Sequence, residues 1–160
     1  MEGAASECLI CDRIRLAQAG RNLTFLMELP SGFAVMGDDQ FLPGYSLLLA
    51  RDHVRELHEL SAVARGAFLR DMAVLGEAVA SVTSPFKMNY AILGNTEQHL
   101  HCHVHARYEY EPEQYRRGPI TGYPKAMRGP EHQFTLAKHG ELLSTIRSEL
   151  GRLARRYERL

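Results

Sequence analysis

Residues 99–108 have the sequence HLHCHVHARY, in which every second residue from His99 to His105 is a histidine. Because side chains alternate between the two faces of a β-strand, this spacing predicts a strand with all its imidazoles on one face. The opposite face would then be apolar and suited to a core: Leu100, Cys102, Val104 and Ala106. Imidazole serves as base, nucleophile or metal ligand near neutral pH, so the histidine face is a candidate site. The alternative is a solvated polar face, and His105, at the strand end, fits either interpretation equally.

The composition is that of an ordinary globular protein, with 45% hydrophobic and 24% charged residues in a chain of 160. This length predicts one domain. Nineteen Lys and Arg residues balance 19 Asp and Glu residues, so the net charge favours neither nucleic acid nor a membrane surface as partner. The absence of a long apolar run or a signal-peptide pattern predicts a cytoplasmic protein.

Hydrophobic spacing predicts an α+β fold with an antiparallel sheet, one long helix and a C-terminal helix. A short helix is expected over 9–19, two strands around a turn at 30–32, and a strand covered on both faces after Pro43. The long helix is expected over 61–84, followed by a strand at 87–95 and then the histidine strand. Residues 111–136 are predicted to form an irregular loop, and the last helix is predicted from Glu141 onward.

Residues 93–108, LGNTEQHLHCHVHARY, resemble the signature of the histidine triad (HIT) family, in which histidines alternate with apolar residues. LPGYSLLLARDHVREL at 42–57 and KMNYAILGN at 87–95 are similar to the family's neighbouring strands. The resemblance implies a HIT-like fold and a single HIT-like domain over 1–160. Its motif-bearing core would be about 8–110, and 111–160 would add a loop and helix. The family also pairs two protomers into one continuous sheet, which implies a homodimer.

The resemblance assigns roles to the histidines. In the family an arginine often lies four residues beyond the third triad histidine, and Arg107 lies four beyond His103. The triad would therefore be His99, His101 and His103, with the register 101, 103 and 105 as the alternative. The middle histidine is the family nucleophile, so His101 would attack the α-phosphorus of a nucleotide and form a covalent nucleotidyl-imidazole. His103 would donate a hydrogen bond to the transferred phosphate. Asn95 would contact the substrate, or it would simply close a turn.

The activity implied is that of a nucleotide hydrolase or nucleotidyltransferase acting on a nucleoside phosphate conjugate or a dinucleoside polyphosphate. Two alternatives stay open. One is a nucleotide-binding, zinc-stabilised interaction protein with little catalysis. The other is nucleotidyl transfer to a sugar phosphate acceptor.

A second group of residues indicates a metal site. Cys8 and Cys11 stand at the start of the first predicted helix, where both thiolates reach one ion, and tetrahedral zinc needs two further ligands. Some relatives complete such a site with a histidine after the middle strand and the first triad histidine, which here are His53 and His99. The resemblance thus implies a structural Zn²⁺ ion held by these four residues. A redox pair, incidental cysteines, and His58 in place of His53 are the alternatives.

Several features depart from the family or allow two interpretations. Tyr45 stands where many relatives have a fourth histidine, and a phenol cannot carry protons at neutral pH. Asp38 and Asp39 are interpreted as turn acids in preference to ribose contacts. The loop cations are interpreted as solvated charge in preference to polyphosphate contacts: Arg116, Arg117, Lys125 and Arg128. Three aromatic residues are candidates for either the base pocket or the core: Phe25, Phe33 and Phe41.

Overall fold

The structure is a computed structural model, and it describes residues 8–159. The helices are α1 (Leu9–Gln18), α2 (Ala62–Thr83), α3 (Glu113–Arg116) and α4 (Leu136–Tyr157). The strands are β1 (Phe25–Leu29), β2 (Gly32–Met36), β3 (Ser46–Ala50), β4 (Lys87–Ala91) and β5 (His101–Arg107). Within residues 8–159, each helix is too short or too polar to cross a bilayer.

The strands form one antiparallel five-stranded sheet in the order β1-β2-β3-β5-β4. The predicted α+β architecture is therefore confirmed. β5 lies inside the sheet, with Leu49 opposite His101 and Leu47 opposite His103 on β3. On its other side Asn89 of β4 lies opposite His105. β4 is an edge strand of this sheet.

The histidine strand and the last helix begin at different residues from those predicted. β5 starts at His101, and His99 lies in the bend before it, although the Leu100 amide still donates to the Val54 carbonyl at 2.7 Å. α4 starts at Leu136, five residues before Glu141, because the Thr135 side chain caps it by accepting from the Lys138 amide. Leu136 is exposed, so the apolar pattern does not mark this first turn.

The sheet buries one face completely and the other only in part. α2 and α4 cover the face that carries Cys102, Val104 and Ala106, and all three are inaccessible to solvent. The predicted apolar face of the histidine strand is thus confirmed as core. On the opposite face, α1 packs Ile10, Ile14 and Ala17 against β2 and β3, over residues that include Phe33 and Leu49. α1 leaves the β5 and β4 end of this face open, which is where the histidines lie.

Residues 108–135, where an irregular loop was predicted over 111–136, contain the one-turn helix α3 and several tight turns, and a buried ion pair fixes their start. Arg107 is 1% exposed and Glu111 4%. The Arg107 guanidinium donates to the Glu111 carboxylate at 2.8 Å and to the Tyr115 carbonyl at 2.9 Å. Tyr123 donates to the same carboxylate at 2.7 Å. Burial alone would raise the pKa of Glu111, but the hydrogen bonds from Arg107 and Tyr123 outweigh it and keep that pKa below its usual value.

Candidate active site and metal centre

His101 is oriented by its own backbone. Its Nδ1 lies 2.6 Å from the His99 carbonyl oxygen, which can only accept, so Nδ1 carries the proton of the neutral ring. The lone pair is then on Nε2, which lies 3.2 Å from Nε2 of His103. His101 is only 7% exposed, yet it lines the cavity described below. A nitrogen lone pair on a ring of fixed orientation that lines a cavity is what a nucleophile requires.

His103 links His101 to Tyr45. Because His101 Nε2 can only accept, His103 Nε2 carries the proton and donates, and its Nδ1 accepts from the Tyr45 hydroxyl at 2.7 Å. Burial and the neighbouring His101 lower the pKa of His103 to about 4, so this ring is neutral at pH 7. Burial also raises the pKa of Tyr45, which keeps its proton. One chain of hydrogen bonds therefore runs from Tyr45 through His103 to His101.

His105 is held by a ring stack that the sequence did not predict. Its ring lies parallel to that of Tyr45, with centroids 4.1 Å apart and planes at 5°. Burial, with the nearby charges, lowers the pKa of His105 to about 3. Gly37 leaves room for the stack, because a Cβ at that position would overlap the Tyr45 ring. His105, the last histidine of the strand, thus packs against Tyr45 instead of lying on a solvated face.

A cavity of about 1370 Å³ opens over the histidine face and is lined by His101, His103, His105 and Tyr45. This exceeds the usual volume of a small-molecule site, roughly 300–1,000 Å³. Its walls also include apolar side chains from α1, β2 and β3: Leu9, Ile10, Val35, Leu47 and Leu49. The cavity therefore combines an apolar wall with a row of imidazoles.

The four predicted metal ligands lie together at one end of the sheet. Their ligand atoms, in Cys8, Cys11, His53 and His99, are all within 4.8 Å of one another. Nδ1 of His99 lies 3.6 Å from Sγ of Cys8 and 3.4 Å from Sγ of Cys11, and Nδ1 of His53 lies 3.2 Å from Sγ of Cys11. This cluster can hold a metal ion. His58, the alternative ligand, is not part of it.

His99 connects the metal cluster to the histidine strand. Its Nε2 lies 2.8 Å from the Ala50 carbonyl oxygen, so Nε2 carries the proton and Nδ1 presents its lone pair to the cysteines. Burial lowers the pKa of His99, which favours the neutral ligand form. The carbonyl of the same residue orients His101.

Other predicted residues lie in different places. Asn95 is exposed in the turn between β4 and β5 and is not among the residues that line the cavity. Asp39 accepts from the Phe41 amide at 2.8 Å, as a turn acid does, and Asp38 pairs with Arg13. Phe33 is core and Phe25 packs against it, whereas Phe41 lines the cavity.

The loop cations divide into two groups. Arg117 and Lys125 are exposed, as expected for solvated charge. Arg116 and Arg128 are half-buried, and both line the cavity with Arg117. Long sequence separation hides this arrangement from pattern analysis, because Arg128 follows His103 by 25 positions in the chain.

Solved structures share this fold. A histidine triad protein from Marinobacter aquaeolei is 25% identical with a TM-score of 0.68, and the match covers 87% of this chain and 94% of that chain. A histidine triad protein from Sinorhizobium meliloti is 22% identical with a TM-score of 0.66, covering 84% and 93%. A hypothetical histidine triad nucleotide-binding protein from Sulfolobus tokodaii is 13% identical with a TM-score of 0.67, covering 89% and 93%. The last two show the fold alone. Comparison with curated proteins gave no match.

A family model described as HIT domain matches residues 21–110, which is more than half of the 160 residues. The matched range contains β1 to β5 and every histidine of the hydrogen-bonded chain described above. By sequence and by fold, this chain belongs to the histidine triad family.

Proposed function

We propose that the protein is a nucleotide hydrolase or nucleotidyltransferase that acts at the α-phosphate through a covalent nucleotidyl-His101 intermediate. One observation carries the proposal. The His99 carbonyl fixes the proton of His101 on Nδ1, and this leaves the Nε2 lone pair beside His103 on the cavity wall. A phosphate that enters between these two rings would meet the nucleophilic lone pair of His101 on one side and the Nε2–H donor of His103 on the other.

In the first step the Nε2 lone pair of His101 forms a bond to the α-phosphorus, and the bond from phosphorus to the leaving group breaks. The electron pair departs with the leaving group. The positive charge that develops on His101 is stabilised through Nδ1–H and the His99 carbonyl. In the second step, the oxygen of water or of another acceptor forms a bond to phosphorus, and the bond from phosphorus to Nε2 breaks with its electron pair returning to His101. The proton that the attacking water loses passes to the solvent.

His103 would bind the transferred phosphate. Its Nε2–H donates to His101 Nε2 in the free protein, and it would donate to a phosphate oxygen instead when the substrate lies between the two rings. Tyr45 supports this role by donating to Nδ1, which excludes the other tautomer. The apolar wall made by Leu47, Leu49 and α1 would contact the base. Asn95 would bind a part of the substrate that extends to the turn between β4 and β5.

We also propose that the metal is a structural Zn²⁺ ion. Zinc bonds of about 2.3 Å to sulfur and about 2.0–2.1 Å to nitrogen place neighbouring S and N ligands of a tetrahedron about 3.5 Å apart. Three S–N distances in the cluster, 3.2, 3.4 and 3.6 Å, are close to this value, and all four ligand atoms lie within 4.8 Å of one another. Four protein ligands leave no position for water, so the ion would join α1 to the start of β5 and hold the His99 carbonyl that orients His101.

We further propose that residues 1–160 form one HIT-like domain, with the motif-bearing core at about 8–110, and that the protein is a homodimer. β4 is one of the two edge strands of the sheet, and exposed apolar residues lie on it or beside it: Phe86, Tyr90 and Leu93. An unpaired edge with exposed apolar groups favours pairing with a second copy. Analytical ultracentrifugation should give twice the mass of 18.1 kDa, and a monomer at micromolar concentration would refute the dimer.

The test replaces His101 with Asn and measures release of nucleoside monophosphate from diadenosine polyphosphates and nucleoside phosphoramidates. We expect kcat to fall by more than about 10³-fold, because the covalent route is lost. His58→Asn is the matched control, since His58 is an exposed histidine outside both clusters, and it should keep full activity. Activity that survives in His101→Asn would refute the proposal.

A second candidate is nucleotide binding with little catalysis, and Tyr45 is the observation that favours it. The phenol that donates to His103 has a raised pKa, so it cannot exchange protons as a fourth histidine would. Wild-type protein that binds nucleotide but neither turns it over nor accumulates an adduct would support this candidate. Transfer is separated from hydrolysis by product analysis with a sugar phosphate as acceptor.

A further inference from the structure

Arg128 differs from the other arginines that line the cavity. Each of the others pairs with a carboxylate: Arg13 with Asp38, Arg107 with Glu111, Arg116 with Glu109, and Arg117 with Glu113. Arg128 forms no ion pair with any residue in the described part of the chain, and its buried Nε has no hydrogen-bond partner there. Lys87 also lines the cavity without such a pair, but it is exposed on the edge strand. A buried, unsatisfied N–H on a cation is costly unless an anion completes it.

The backbone on both sides of Arg128 is fixed. On one side, the buried ring of Tyr123 packs edge-on against Phe41, with centroids 5.0 Å apart. On the other side, the His132 carbonyl accepts from the Gln40 amide at 2.8 Å, and the Phe134 amide donates to the Asp38 carbonyl at 2.7 Å. The loop therefore holds Arg128 on the cavity wall before any ligand binds.

The charge of Arg128 acts on the histidine face. Burial is the first cause that lowers the pKa of His105 to about 3, followed by His103, Arg107 and Arg128. Arg128 also acts on Tyr45, where it opposes the effect of burial on the pKa of the hydroxyl. The guanidinium thus lies near enough to the Tyr45–His105 stack for its charge to reach that side of the cavity.

We propose that Arg128 binds a second phosphate of the substrate, the one that leaves when His101 attacks, so that phosphoanhydrides are preferred over conjugates with a single phosphate. This inference rests on the proposed function. In the step concerned, His101 Nε2 forms a bond to the α-phosphorus, and the bond from phosphorus to the bridging oxygen breaks. The electron pair goes to that oxygen, and the departing phosphate leaves as an anion paired with Arg128.

The hydrogen-bonded chain at the site favours the same substrate class. His103 Nδ1 accepts a hydrogen bond from the Tyr45 hydroxyl, so loss of the Nε2 proton of His103 would require Tyr45 to ionise, which its raised pKa opposes. An amine or alkoxide must be protonated to leave, whereas a phosphate leaves as a stable anion. A site with no ready proton donor but with a cation for the leaving phosphate suits phosphoanhydrides.

The test measures binding by titration calorimetry, with AMP and with α,β-methylene-ADP, which carries a second phosphate and cannot be cleaved. Wild-type protein, Arg128→Gln, Arg128→Lys and Lys125→Gln are compared. Lys125→Gln is the matched control, because it removes a positive charge three residues away that does not line the cavity. AMP binding also reports whether each variant is folded.

We expect wild-type protein to bind the two-phosphate analogue at least about tenfold more tightly than AMP, as a charge-assisted hydrogen bond predicts. Arg128→Gln should lose that preference while its AMP affinity stays within about twofold. Arg128→Lys should keep part of the preference, and Lys125→Gln should behave like wild type. In turnover, the ratio of kcat/KM for diadenosine polyphosphate to kcat/KM for a phosphoramidate should fall in Arg128→Gln.

Two results would overturn this inference and leave the proposed function standing. Arg128→Gln could keep the preference for α,β-methylene-ADP over AMP, or it could bind both ligands more weakly by the same factor. Wild-type protein that binds neither ligand would refute the proposed function, and the role of Arg128 with it.

Discussion

Replacing Tyr45 with Phe removes one hydroxyl and keeps the ring that stacks on His105 at 4.1 Å. The hydroxyl donates to His103 Nδ1 at 2.7 Å, and it thereby keeps the proton of His103 on Nε2. Without it, the half-buried Nδ1 loses its donor, at a cost of about 1–3 kcal/mol for the tautomer that contacts substrate. Since about 1.4 kcal/mol corresponds to a tenfold rate change, kcat should fall by about 5- to 150-fold.

The assay combines steady-state kinetics with ¹⁵N NMR of the histidine rings. The fall should appear in kcat with little change in AMP affinity, and the His103 signals should move from the Nε2–H toward the Nδ1–H tautomer. Tyr45→His is the matched control, because an imidazole at this position can also donate, and it should retain more activity than Tyr45→Phe. Unchanged kcat together with an unchanged His103 tautomer in Tyr45→Phe would refute the reasoning.

Three further predictions concern stability and the metal. Arg107→Met should lower the free energy of unfolding by about 3–5 kcal/mol in urea titrations, because it leaves Glu111 buried without its cation; a loss below about 1 kcal/mol would contradict this. The folded protein keeps His105 neutral down to a pKa of about 3, while the unfolded chain takes up its proton below about pH 6.5. The contribution of neutral His105 to the free energy of unfolding is therefore complete above pH 6.5 and is lost as the pH falls toward 3. In chemical denaturation, wild-type protein should lose more stability than His105→Gln between pH 7.5 and about 4.5. Equal losses in the two proteins would argue against this prediction. The double substitution Cys8→Ser, Cys11→Ser should abolish the roughly one zinc per chain expected from elemental analysis and lower Tm; metal-free wild-type protein with an unchanged Tm would refute the zinc site.

Local patterns predicted the parts of the fold that depend on neighbouring residues. Alternation over residues 99–107 predicted which side chains enter the core, because a strand inside a two-sided sheet fixes the face of every residue. The same alternation predicted a strand that begins at His99, two residues before the observed start of β5 at His101. His99 turns toward Cys8 and Cys11 in the bend, and its Nε2 is held by the Ala50 carbonyl.

Contacts between distant residues were not predictable from spacing alone. The stack of Tyr45 on His105 depends on the register of β3 against β5, which no local pattern specifies. Arg128 reaches the cavity because Phe134 and His132 bond to residues 38–40, and these contacts leave no periodic signal in a loop rich in proline and glycine. The metal cluster was predictable only because the family resemblance brought His53 and His99 to the cysteine pair.

The central claim is that Nε2 of His101 attacks phosphorus. Its most direct test mixes wild-type protein with a diadenosine polyphosphate, quenches within milliseconds at alkaline pH, which preserves a phosphoramidate bond, and measures intact mass. The account predicts a species heavier by one adenylyl group, mapped by peptide fragmentation to His101 and missing from His101→Asn. Turnover with no adduct at any time point, or an adduct mapped to His103 or His105, would contradict it.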